Sequence, residues 1–494
     1  MESIFGTLRD MALVQRMGGG TGFSFSKLRP ADDLVCTTGG RASGPVSFMR
    51  IYDTATENIR QGGRRRGANM GVLRIDHPDI EEFINVKRDG RSLRNFNLSV
   101  GVTDEFMFAL ENDAAYDLRH PNDLRVVKQR SARDLFQVIC QAAWETGDPG
   151  LIFLDAIERG NPTPRLGRME STNPCGELPL LTNESCNLGS INLPHFVKET
   201  SGRMSVDWDR LKAITHVAVR FLDDVITINE YPTEAIANAT LSNRKIGLGV
   251  MGFAELCILL EVCYSSKEAI ALAGDLMSFV MSEARNTSLR LAEDRGVFPN
   301  WPKSVYAGSP LKLRNATLTS IAPTGTISII AGTSSSIEPL FALAYRRRNV
   351  LGGQTLTEFN PILLRHLERH RLAEPAILDE LTRVGRFTEV MPIPEHLRKL
   401  FITALEVTAE DHVGIQAAFQ QHVDNAVSKT VNLSHDATPE DVARVYRRAH
   451  RLGCKGVTVF RYGSKTEQVL QIGLEESIDE REHFVKCDPG ACKL

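Results

Sequence analysis

The chain has no C-x-x-C pair, no apolar run of membrane-spanning length and almost no net charge, and only 7% of its 494 residues are aromatic. Each absence excludes something. Without closely paired cysteines a finger-type zinc site is not expected, and no metal ligand set is assigned. Without about 20 consecutive apolar residues no transmembrane helix is expected. A net charge of −3 gives no electrostatic basis for binding nucleic acid or an anionic membrane. The opening MESIFGTLRDMALVQRM lacks a cleavage-site pattern and does not read as a signal peptide. The expected compartment is the cytoplasm. There nine cysteines, an odd number, stay reduced unless chemistry oxidises them.

What is present reads as α/β. Apolar positions at Ile4, Phe5, Leu8, Met11, Ala12 and Val14 share a helical face that stops at Gly18-Gly19-Gly20. Gly22 to Ser26 reads as a short strand, and Val46 to Arg60 as a helix. Ser131 with Asp134 caps a helix that Gly147 ends, and Leu151 to Leu154 reads as a buried strand. A long helix is expected over Trp208 to Ile228 and another after Asn243. Thr438-Pro439 starts a helix that Gly453 closes, and Gly456 to Phe460 is a strand. Helices alternating with short apolar strands predict a largely α/β fold. After Arg461 the chain turns acidic and ends in VKCDPGACKL, the composition of a flexible tail.

The chemistry concentrates in STNPCGELPLLTNESC, Ser171 to Cys186. Cys175 lies between Asn173 and Glu177, and alternation in extended chain would put the three side chains on one side. A carboxylate there can take a proton from a hydroxyl that an amide holds in place. Pro174 and Gly176 favour a shaped loop instead. For a single cysteine the plainer reading is a small buried hydrophobe. That reading is preferred for Cys140, Cys257 and Cys454. Cys487 and Cys492, with four residues between them near the terminus, can close a disulfide and exchange it. Ala322-Pro-Thr-Gly-Thr326 suits a phosphate at a helix N-terminus. Gly62-Gly63-Arg64-Arg65-Arg66-Gly67 suits a nucleotide phosphate through arginine forks.

Together, GGGTGFSFSKLRP (Gly18 to Pro30), TTGGRASGPVSFM (Thr37 to Met49), QGGRRRGANMGVLRIDHPDI (Gln61 to Ile80), NPCGELPLLTNESCNLGSINL (Asn173 to Leu193), APTGTISIIAGTSSSIEP (Ala322 to Pro339), HVDNAVSKTVNL (His422 to Leu433), GCKGVTVFRYGSK (Gly453 to Lys465) and the tail CDPGAC resemble the adenosylcobalamin-dependent (class II) ribonucleotide reductases. The resemblance implies a ten-stranded α/β barrel with a central finger loop. The catalytic domain would cover 1–465, with dimer helices near 2–17 and 46–60, and a redox tail would cover 466–494. Cys175 resembles the thiyl-radical cysteine, Glu177 the base on the ribose 3′-hydroxyl, and Asn173 its orienting amide. Cys186 resembles half of the active-site dithiol, and Cys487 with Cys492 the tail pair that a thioredoxin-like protein re-reduces. Gly19 and Gly20 would lie beside substrate, and Pro323, Thr324, Gly325 and Thr326 would cradle its phosphate. Arg29, Arg64, Arg65, Arg66 and Gly67 resemble the site where a deoxynucleotide or ATP effector sets base preference.

The iron-dependent relatives need a paired-tyrosine relay where this chain reads Val457-Thr458-Val459-Phe460-Arg461, so direct radical generation by adenosylcobalamin fits better. Neither the glycine signature nor the zinc cysteines of the glycyl-radical members appears. The resemblance implies diphosphate substrates and a homodimer. It also places the first barrel strand, its redox cysteine and any N-terminal regulatory domain upstream of residue 1. The expectation is therefore a truncated chain, or one whose missing strand a second chain supplies. A nucleotide-binding dimer without turnover is the alternative.

Overall fold

Apolar runs in this chain become strands buried on both faces, as parallel strands covered by helices require. The computed structural model describes every residue except 36–38, 62–64, 351–353 and 465–494. At 60–61, 65–66, 345–350 and 354–358 it describes backbone alone. Strands β1 (Thr21–Ser24), β2 (Asn69–Arg74), β3 (Phe96–Val102) and β4 (Gly150–Phe153) pair in that order, all parallel. A second set follows: β5 (Asn187–Asn192), β6 (Ile246–Met251), the extended segment 317–321, β7 (Thr430–Leu433) and β8 (Gly456–Arg461). Here β5 pairs β6, Leu248 bridges Thr319, Ile321 bridges Val427 just before β7, and β7 pairs β8, all parallel. The halves meet where β4 pairs β8 antiparallel. Among the described residues four parallel strands thus join five, one short of the ten that the resemblance implies. Among the described residues β1 and β5 have no second ladder partner.

Helices cover this sheet. α1 (Glu2–Arg16) and α2 (Gly44–Asn58) pack on each other, Tyr52 Oη donating to Ile4 O at 2.6 Å. α3 (Ala132–Thr146) starts at Ser131, whose hydroxyl accepts from Asp134 N, and stops at left-handed Gly147. α4 (Trp208–Ile228) and α5 (Lys267–Arg295) lie over the second half. α6 (Gly325–Ala331) is a short helix, and α7 (Pro439–Arg451) opens on a complete capping box of Thr438 and Asp441.

One expectation fails. No helix starts at Asn243; a helix ends there (Glu234–Asn243), β6 follows, and the next helix is Phe253–Leu259. All six residues of β6 are buried, and a short run apolar on every side carries no period to separate strand from helix.

The described chain forms two compact units, Met1–Phe341 with the chain from Lys399 onward, and Ala342–Arg398. The second holds the antiparallel pair Ala344–Val350 and Gln354–Phe359 and the helices Pro361–Arg369 and Pro375–Val384. Among the described residues no helix is long and apolar enough to cross a membrane.

Candidate active site

Between the two halves the chain makes a tight hairpin, Ser171–Thr172 against Pro179–Leu180. Its tip is the turn Pro174–Gly176, closed by Gly176 N donating to Asn173 O at 3.1 Å and opened leftward by Gly176 at φ 87°. The hairpin is held from both halves of the barrel. From the first, Asn97 Nδ2 in β3 donates to Pro174 O at 2.7 Å. From the second, Ser320 Oγ and Ala426 N both donate to Glu177 O at 2.9 Å. The first half also makes room for it. A Cβ on Gly22 would lie 1.7 Å from Thr172 O, and one on Gly20 would lie 2.8 Å from the Pro174 ring.

This turn corrects the extended-chain expectation. Asn173, Cys175 and Glu177 do not share one face of a strand: Cys175 is exposed, while Glu177 is 1% exposed. Burial pushes the Glu177 carboxyl above its ordinary range, and the Asn173 side chain beside it draws it partway back. Glu177 Oε2 has no hydrogen-bond partner, so a buried acceptor stands free two residues from an exposed thiol. Asn173 Oδ1 is taken by Leu178 N at 3.0 Å, which fixes the amide's orientation.

Cys186 precedes β5. The residue is half-buried, and a Cβ on Gly247 of β6 would lie 3.6 Å from Sγ. Burial pushes this thiol well up, and the carboxylates of Glu184 and Glu177 add to the shift while Lys245 opposes it. Cys140, Cys257 and Cys454 are buried with their thiols pushed up by desolvation, as inert core cysteines are.

Other expected residues are placed as follows. Thr324 is left-handed (φ 53°) and precedes α6; its Oγ1 accepts from Ser336 N at 2.7 Å, so the hydroxyl is partly committed inside the protein. Pro323, Gly325 and Thr326 are exposed beside it. Arg29 donates to Leu34 O at 3.1 Å and lies 3.9 Å from Asp33, so its guanidinium is engaged within its own loop. Gly67 packs on the Gln15 amide. Arg65 and Arg66 are described as backbone, paired with Arg60–Gln61. Arg64, Cys36, Cys487 and Cys492 lie outside the described residues.

Sequence reasoning missed Asn97, Ser320 and the Lys245–Glu184 pair. Asn97 left a faint signal, an amide inside the apolar run FNLSVGV. The others left none, because their partners are 61 to 143 positions away.

Fold and site define an α/β barrel threaded by a cysteine-tipped finger. The chain belongs to the ribonucleotide reductases: the family model described as "Ribonucleotide reductase, barrel domain" matches residues 1–460. It is 52% identical over 478 residues to the vitamin B12-dependent ribonucleoside-diphosphate reductase of Thermoplasma acidophilum, covering 97% of this chain and 62% of that protein. It is 50% identical over 471 residues to the protein of the same name from Mycobacterium tuberculosis, covering 95% of this chain and 67% of that one. The chain therefore spans about two thirds of the length of these relatives. The Actinobacillus ureae class Id ribonucleotide reductase alpha subunit shares the fold, with a TM-score of 0.75 at 22% identity, covering 93% of this chain and 81% of that one.

Proposed function

We propose that this chain is the catalytic barrel of a ribonucleotide reductase that acts on ribonucleoside diphosphates with adenosylcobalamin as radical source. The observation that carries the reading is the finger turn, which offers an exposed thiol at Cys175 and a buried, unpartnered carboxylate oxygen at Glu177. Relatives at 50–52% identity named as vitamin B12-dependent diphosphate reductases support the cofactor and the substrate class.

The residues fit a cofactor that reaches the sulfur directly. Cys175 is open to solvent, and β8 holds no tyrosine pair to carry a radical. Ile327, Ile329 and Ile330 are exposed on α6 and would give a corrin an apolar seat. When bound, the cofactor supplies the one-electron oxidant for the Cys175 thiol. Cys175 then takes the ribose 3′-hydrogen and later returns it. Glu177 accepts the 3′-hydroxyl proton, and its burial favours that, since a desolvated carboxylate is a stronger base. Asn173 holds the hydroxyl. Cys186 contributes one of the two thiols that are oxidised to a disulfide as the 2′-hydroxyl departs as water, and a thiol from a second chain, or from dithiothreitol in the assay, supplies the other.

Pro323, Thr324, Gly325 and Thr326 cradle the substrate phosphate, with Gly19 and Gly20 beside the sugar. Residues 1–465 form the catalytic domain, and 466–494 the tail whose Cys487 and Cys492 pass electrons from a thioredoxin-like protein. α1 and α2 form a homodimer contact, with Arg29 and the loop Arg64 to Gly67 reading a deoxynucleotide or ATP effector.

The test mixes the chain with adenosylcobalamin, a ribonucleoside diphosphate, a deoxynucleoside triphosphate and excess dithiothreitol. The expected result is deoxynucleotide together with cob(II)alamin, and Cys175→Ala should abolish the product while nucleotide binding persists. Binding without product in the unaltered chain would favour a nucleotide-binding dimer without turnover. Product from the Cys175→Ala variant would refute the role of that thiol.

A further inference from the structure

Cys186 acts in exchange as a thiolate, because the thiolate is the nucleophile in attack on a disulfide. Its surroundings oppose that form. Burial holds the thiol protonated, and the carboxylates of Glu184 and Glu177 add to that. One cation opposes them. The β5–β6 ladder opens with Asn187 opposite Ile246, and Cys186 and Lys245 are the residues immediately before each. Lys245 leaves the strand on the same face as Gly247, which lies against the sulfur, because side chains two apart share a face.

Lys245 is not free to drift. Its Nζ lies 2.7 Å from Glu184 Oε2, and the two side chains are 0% and 2% exposed. Glu184 is itself fastened by Leu181 N at 2.6 Å and by Asn243 Nδ2. Asn243 and Lys245 lie just before β6, and Glu184 and Cys186 just before β5. The ion pair is thus built into the same strand entrance as the thiol. A buried pair of this kind is weak evidence for stability, since the desolvation of both ions offsets much of their attraction. Its placement beside a thiol gives it another use.

We infer that Lys245, pinned by Glu184, is a positioning residue that sets how readily Cys186 gives up its proton and therefore how fast it exchanges. The inference rests on the reading of Cys186 as a redox thiol, but its test needs no turnover, so its failure would leave ribonucleotide reduction untouched. The groups that decide the outcome are Lys245 from β6, Glu184 from the approach to β5 and Glu177 from the finger.

The experiment measures alkylation of Cys186 by iodoacetamide in the full chain across pH, read by mass spectrometry of the peptide that contains it. In Lys245→Met the rate at pH 8 should fall about tenfold, the change that one pH unit in the thiol's titration produces. In Glu184→Gln the rate should rise instead, because an opposing negative charge is gone. A merely structural role would change access to the sulfur, which moves the rate in the same direction in both variants. Rates unchanged in both, or a faster rate in Lys245→Met, would overturn the inference. If Lys245→Met does not fold, Glu184→Gln decides alone: a rate equal to or below that of the unaltered chain refutes it.

Discussion

The two halves of the barrel bury different things. Around β1 to β4 the core is apolar: Val72, Leu73, Ile75, Leu98, Val100 and Val102 are at most 2% exposed, and Phe83, Phe96 and Phe106 pack among them. Up to residue 170, among the described residues, the buried acidic or basic side chains are His77 and His120. From Glu177 onward the buried set includes Asp223, Arg244, Lys245, Glu283, His412 and Lys429. One half is a scaffold held by apolar area, and the other adds to its own apolar core a set of buried charges held by one another. Buried ions stabilise little when paired and cost much when a partner is removed. The second half therefore depends on its pairings in a way the first does not. The thiol Cys186 and the Glu177 clamp, Ser320 and Ala426, belong to that charged half.

Asp223 is the sharpest place to break the contrast. Its side chain is fully buried; Arg244 Nε and Asn315 Nδ2 donate to Oδ1 at 2.8 and 3.0 Å, and Arg295 and Arg314 approach Oδ2 at 3.1 and 3.4 Å. Asp223→Ala would leave Arg244, almost as buried, without its carboxylate. The expected loss is about 3–5 kcal/mol, seen as a lower urea midpoint. A loss under about 1 kcal/mol would mean that the charged half is not held by its pairings.

Much of the first half was legible in the sequence, and less of the second, for a physical reason. Strand β4 and the caps at Ser131 and Thr438 announce themselves locally, through apolar runs and hydroxyl residues three positions before an acid. The finger was legible as chemistry, because Asn173, Cys175 and Glu177 sit within five residues. Its shape was not: the turn at Gly176 puts the carboxylate inside and the thiol outside, against the extended-chain expectation. Strand β6 was misread because a run buried on every side has no period. The ion pairs were invisible because Glu184 meets Lys245 across 61 positions and Asp223 meets Arg314 across 91. Long-range polar pairing leaves no local pattern.

A smaller effect in the charged half depends on pH. His412 is buried, with Nε2 against Ala404 O at 3.1 Å and Nδ1 against Lys429 Nζ at 3.0 Å, while Lys429 pairs with Glu338. Burial first, then the Lys429 charge, holds this imidazole well below its ordinary range. The folded chain keeps it neutral, while the unfolded chain protonates it near pH 6.5. The unfolded state therefore binds the extra proton below that pH. Stability contributed by the neutral ring is present above about pH 6.5 and is lost as pH falls, at up to about 1.4 kcal/mol per pH unit. His412→Gln should flatten the fall in unfolding free energy between pH 6.5 and 5, and an unchanged slope would show that the ring is protonated in the fold.

The mildest change tests the scaffold half. Ile75 follows β2, is fully buried, and its N–H donates to Gly101 O at 3.0 Å. Ile75→Val removes one methylene and leaves that backbone bond in place, so only packing is altered. The expected cost is about 0.5–1.5 kcal/mol in unfolding free energy. Because no charge is involved, that cost should be the same at pH 5 and pH 8, and the same in low and high salt. The Asp223→Ala loss, by contrast, comes from stranded guanidinium groups, which added chloride can partly screen wherever water reaches them. If Ile75→Val destabilised more at pH 5 than at pH 8, the apolar half would be coupled to the titrating half. The division between scaffold and charged layer would then fail.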